Sequence, residues 1–154
     1  MAKQIMNDTM NHDITDVSLY RGSLNFFKAT NIVFKSGESC PADAFGFLVS
    51  HSLELALKAY LLKKGLGEAN LKSIGHSLVK AWSKSVGYGL PLVTPVPRWC
   101  ELLDSAHSSP FLFRYARTNT GIVTPAQQES HSGLNKVLDI VGNEMGLDRN
   151  GNFV

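Results

Sequence analysis

Between Phe45 and Gly65 the chain reads FGFLVSHSLELALKAYLLKKG, a stretch of helical length with almost no solvent-facing side. Leu48, Ser52, Leu55, Ala59 and Leu62 recur at helical spacing, and Val49, Leu53, Ala56 and Tyr60 form a second apolar row beside them. A helix that is apolar around most of its circumference must be surrounded by other elements. The exception is one polar row, His51, Glu54 and Lys58, lying between Phe47 and Leu61 on the same stripe. Two readings of that row follow. It organises a polar cleft, the charge pair tuning the histidine, or it supports the helix and settles the register of a bundle or dimer. A single His-x-x-Glu without a matching pair on another helix falls short of a metal site, so no metal or other cofactor is expected.

The flanking segments supply the surrounding elements. Asp13 and Asp16 read as the cap of a first helix running to about Ser36, with Val17, Tyr20, Leu24, Phe27, Asn31 and Phe34 as its seam. Asn31 interrupts that seam, where a polar residue commonly fixes register. Gly37 to Cys40 breaks the chain, Pro41 suits the first turn of the central helix, and Lys63, Lys64 and Gly65 end it, so the first two helices form a hairpin. A polar connector over 66–75 leads to a third helix opened by Gly75-His76-Ser77, with Leu78, Ala81, Trp82 and Val86 inward. Thr94-Pro95 serves as cap and first residue of a fourth helix, striped by Val96, Trp99, Leu103 and Ala106. Thr124-Pro125-Ala126-Gln127 starts the last, with Leu134, Val137, Leu138, Val141 and Met145 inward and His131 on the same side. No segment reads as a strand. The expected fold is all-α, an antiparallel up-down bundle of about five helices over 13–145, with flexible ends at 1–12 and 146–154.

Cys40 and Cys100 lack any companion that would make a disulfide framework or zinc site. The N-terminus has no apolar core of signal-peptide length and no run is uninterrupted enough to cross a bilayer, so a cytoplasmic protein without membrane attachment is expected. A net charge of +2 is too small to argue for nucleic-acid binding by itself.

The segment from Ser108 to Val123 fits no period, and in it three large apolar residues run into Arg114, Tyr115 and Arg117. Two guanidinium groups and a phenol there suit phosphate or base contacts. The bland alternative pairs Arg114 with the bundle, at Glu54, and uses Tyr115 as a plug. His131 on an apolar stripe is either a satisfied core histidine or an acid–base group. His76 caps a helix or bonds a loop, and His12 and His107 have no partner visible in sequence.

Three pieces occur in order: HSLELALKAYLLKKG, then IGHSLVKAW, then FRYA ahead of the last helix. Together they resemble the HEPN family, the higher-eukaryote and prokaryote nucleotide-binding domain, over roughly residues 15–145. The resemblance implies a helical bundle that pairs into a symmetric homodimer. It also implies a role in prokaryotic toxin–antitoxin or abortive-infection defence, with RNA, a nucleotide, an antitoxin or a nucleotidyltransferase-like protein as partner. Many members are metal-independent ribonucleases with an arginine and a histidine separated by four to six residues. Here that arginine would fall at Thr124, Pro125 or Ala126, so the motif is absent. The resemblance therefore implies a binding module, with Arg114, Tyr115 and Arg117 making polar contacts and His51, Glu54 and Lys58 organising the cleft. Its alternatives are a rearranged ribonuclease using His131 with Arg114 or Arg117, and a purely structural dimerisation domain.

Overall fold

The computed structural model describes residues 13–115, 117 and 121–154; the arm over 1–12 lies outside them. Among the described residues the fold is all-helical: α1 (Asp16–Phe34), α2 (Ala42–Lys63), α3 (Glu68–Ile74), α4 (Leu78–Gly87), α5 (Arg98–His107) and α6 (Gln127–Met145). The central segment is α2, and Val49, Leu53, Ala56, Leu57, Ala59, Tyr60 and Leu61 on it are fully buried. By length and composition α2 could cross a membrane, but 67% of its apolar window is buried inside the fold, as befits a core helix.

Helices α1 and α2 form the expected hairpin. Phe34 meets Phe45 near the turn, Phe26 meets His51 in the middle, and Gly22 faces Leu55 further on, a strictly antiparallel register. At its centre the Oγ of Ser23 donates to the carbonyl of Ser52 (2.7 Å) and the Oγ of Ser52 donates back to the carbonyl of Ser23 (2.8 Å). Such small, mutually satisfied residues let two backbones approach without an orphaned polar group. Helix α6 lies antiparallel to α1, with the Tyr20 hydroxyl on the Leu138 carbonyl and His131 against Asn31. Gly133 and Gly142 permit the close packing of α6. A Cβ on Gly133 would stand 2.5 Å from the Trp99 ring, and one on Gly142 would meet the Tyr20 hydroxyl and the Leu147 carbonyl.

Several local expectations need correction. Thr15 rather than Asp13 caps α1, in a reciprocal box with Ser18. The polar connector contains a helix, α3, because Leu71 and Ile74 find apolar cover. The fourth helix of the sequence reading (α5) begins after Pro97 rather than at Pro95, the cis Thr94–Pro95 bond lying in an irregular stretch. The last (α6) begins at Gln127 without a side-chain cap. The expected flexible tail is instead folded back. Gly146 takes a left-handed conformation, Leu147 is buried, Leu147 and Phe153 form an isolated bridge, and the Arg21 Nε donates to the Gly151 carbonyl. Glycine at 146 and 151, both at positive φ, permits the reversal that these contacts hold.

Candidate functional site: a histidine cluster on a buried glutamate

Glu54 lies in the middle of α2 and is 3% exposed. An ionised carboxylate at that depth requires partners, and it has three. The Lys58 Nζ donates to Oε1 (2.7 Å), the His107 Nε2 lies 2.6 Å from Oε2, and the His76 Nδ1 lies 3.2 Å from both oxygens. The sequence-level pairing of Glu54 with Arg114 is replaced by this set. Burial by itself pushes the Glu54 carboxyl upward. Hydrogen bonds from His107 and Lys58, with the charges of the same two groups, outweigh it and hold the carboxyl at about 2.

The partners arrive by local folding rules. Lys58 is one turn from Glu54 and donates also to the carbonyl of Gly75 (2.7 Å), fixing the bend between α3 and α4, where Gly75 has φ of +62°. His76 sits in that bend. On α5, the Asp104 carboxylate accepts the N–H groups of Leu78 (2.5 Å) and Val79 (3.4 Å), capping the start of α4 while Ser77 takes the N–H of Lys80. This cross-cap ties the end of α5 to the start of α4 and delivers His107, on the last turn of α5, to Glu54.

Around this anchor stands a collar of rings. His51 is edge-on to Phe26 (4.4 Å between centroids) and stacked on Phe47 (5.7 Å). His107 lies 6.1 Å from Phe47 and 6.4 Å from His51, and His76 is edge-on to Phe111. Burial lowers the His51 pKa; neighbouring Glu54 opposes that, while the charges of His107, Arg114 and His76 add to it. The Nδ1 atoms of His51 and His107 are buried without a hydrogen-bond partner among the described residues. One ligating atom from each of His51, Glu54 and His107 lies within 4.8 Å of the others, so the lone His-x-x-Glu of α2 acquires a third donor from α5.

Arg114 stands at the rim. The segment after α5 is a hydrogen-bonded turn, with Phe111 N–H on the Ser108 carbonyl and both Arg114 and Tyr115 N–H on the Phe111 carbonyl. Phe111 holds φ of +60°, uncommon for a bulky residue and the sort of strain that collects at functional sites. Phe113 is seated on Gly46, where any Cβ would collide with its ring. The exposed Arg114 guanidinium consequently lies over the rings of Phe47 (5.4 Å) and Phe111 (5.7 Å). No hydrogen bond or ion pair engages it among the described residues. Tyr115, 66% exposed, and the exposed Arg117 follow.

His131 has other neighbours. Its ring is stacked on Phe34 (4.4 Å) and Phe27 (5.5 Å), and its Nε2 lies 2.6 Å from the Asn31 Oδ1. Burial alone lowers its pKa, and Arg114 is not among the charges acting on it. Thus Arg114 and His51 both lie against the Phe47 ring, and His131 is left with Asn31. Sequence reasoning missed His107 and Arg149. The first continues the apolar stripe Trp99, Leu103, Ala106, a signal visible in retrospect; the second lies over Phe27 (4.8 Å) and bonds Asn135 and Asp139 from the folded-back tail.

These shifts set a pH dependence. A histidine whose folded pKa is lowered costs stability as pH falls below 6.5, its ordinary value, and His51 and His131 both behave so. Glu54, depressed from 4.5 to about 2, contributes stability that is whole above 4.5 and lost as pH falls toward 2. The second stage is worth about 3 kcal/mol. Denaturant midpoints measured from pH 7 down to 2.5 should decline throughout, and Glu54→Gln should flatten the acid stage. An acid stage equally steep in that variant would contradict the assignment.

No family model, no curated protein and no solved structure matches this chain.

Proposed function

We propose that this chain is an HEPN-like helical module that binds single-stranded RNA through its phosphates, acting as a homodimer in a prokaryotic stress or defence system. The observation that carries the reading is the state of Arg114. Its guanidinium rests on two aromatic rings with no carboxylate engaged among the described residues, and the nearby Glu54 carboxylate is already shared by Lys58, His76 and His107. A planar cation held in that way presents a bidentate donor edge to a phosphate oxygen pair. The exposed ring of Tyr115 provides a face for a base, and Arg117 a second cation along the strand. The rearranged ribonuclease that pairs Arg114 with His131 draws less support, because His131 is stacked between Phe34 and Phe27 with its Nε2 on Asn31, whereas Arg114 lies over Phe47 and Phe111.

The test is fluorescence anisotropy of a labelled single-stranded RNA at low salt, with ATP as competitor. Saturable binding at micromolar concentrations that weakens with added salt is expected. Competition by ATP at concentrations as low as RNA itself would make a free nucleotide the ligand. Binding of neither up to about 1 mM would overturn the reading. Sedimentation at micromolar protein should give a dimer, and a clean monomer would remove that part of it.

A further inference from the structure

We infer that His51, Glu54 and His107 form a binding site for a divalent transition-metal ion. This goes beyond the RNA reading and does not depend on it. One ligating atom from each residue already lies within 4.8 Å of the other two. Imidazole and carboxylate donors together suit zinc, cobalt, nickel or iron rather than calcium or magnesium, which prefer oxygen alone.

A second observation points to a ligand. The Nδ1 atoms of His51 and His107 are buried and without partners among the described residues, and His107 is 1% exposed. A ring nitrogen removed from water and given nothing in return is costly. An ion in the cluster, or water bound to it, supplies the missing partner. The supporting structure also fits. His51 and Glu54 are one turn apart on the most buried helix, and His107 is fixed by the cross-cap of Asp104 on α4. His76 bonds both oxygens of Glu54 from outside and holds the carboxylate plane, the usual task of a residue behind a metal ligand.

Lys58 is the apparent objection, since a cation beside a ligand carboxylate weakens its hold on a metal. Its Nζ is committed to Oε1 and to the Gly75 carbonyl, however, whereas the oxygen facing His107 is Oε2. Oε2 carries the hydrogen bond with the His107 Nε2 (2.6 Å), so the ion enters by replacing that bond, while Lys58 stays on Oε1.

The experiment uses untagged full-length protein, stripped with a chelator and titrated with cobalt(II) chloride. Visible absorption is followed, and calorimetry with zinc chloride runs in parallel. One equivalent binding at micromolar concentration or tighter is expected. His51→Ala, at a half-buried position, should lower the affinity at least ~10-fold with an unchanged circular dichroism spectrum. His131→Ala should leave it as it was. Absence of saturable binding below about 1 mM overturns the inference. So does one-equivalent binding that survives His51→Ala, or that is lost in His131→Ala. RNA binding by the stripped protein without any metal binding would sink this inference alone, leaving the RNA reading standing.

Discussion

Glu54→Ala is expected to cost about 3–5 kcal/mol of folding stability, the range for breaking a buried ion pair by removing one member. The side chain is nearly the only acceptor for three groups. Without it, among the described residues, the ammonium of Lys58, 15% exposed at the side chain, retains only the Gly75 carbonyl, and the fully enclosed ring of His107 loses its one hydrogen bond. The loss spreads because those partners come from different elements: the α3–α4 bend is pinned by Lys58 and His76, and the end of α5 by His107. For a chain of this length the change corresponds to a fall of roughly 10 °C in Tm. Glu54→Gln retains the shape and an acceptor oxygen, so it should cost less. Lys58→Met, which keeps the apolar stem over the helix, should also cost less than Glu54→Ala. Thermal unfolding of the three variants side by side gives the ranking. A loss below about 1 kcal/mol for Glu54→Ala would show that the cluster is not what holds these helices together.

Arg114→Ala should weaken RNA binding by at least ~10-fold while lowering Tm by no more than about 4 °C. Few stabilising contacts depend on the side chain: it is exposed and, among the described residues, lies over the faces of Phe47 and Phe111. Cation–π contacts at exposed sites are worth about 0.5–1 kcal/mol, small beside a charge-assisted bidentate bond to phosphate. Arg114→Lys is the informative companion. Lysine keeps the charge but neither the planar fork nor the stacking, so it should restore only part of the affinity. Full rescue would mean that the site reads charge without geometry, and the orienting rings would have no role.

Much of the helical order is legible in the sequence because it rests on local patterns. The hairpin of α1 and α2 follows from the apolar circumference of α2, the break at Gly37 to Cys40 and the glycine and lysines at its end. Helix starts are less legible. Pro95 and Pro125 look like first-turn residues, yet both helices begin later, and nothing within a few residues of either proline reports the tertiary contacts that decide it. The candidate site divides in the same way. His51, Glu54 and Lys58 stand on one face of one helix, so their association is readable from spacing alone. His76 and His107 join them across 22 and 53 residues of chain, through a cap that Asp104 places on another helix. Such a contact leaves no periodic trace. The tail is the same case, since Arg149 and Gly151 are held by Asn135 and Arg21 rather than by any helical pattern.

The proposal that RNA phosphates are received at Arg114, beside the glutamate-anchored histidines, is most directly tested by nuclear magnetic resonance. Uniformly 15N-labelled protein is titrated with a short single-stranded RNA while the arginine side-chain Nε–H and histidine ring signals are followed. The Arg114 Nε–H and the His51 ring should shift together and saturate at one concentration, with His131 unmoved. Saturable shifts confined to the lysine face of α4, at Lys80 and Lys84, with Arg114 and His51 unchanged, would contradict it.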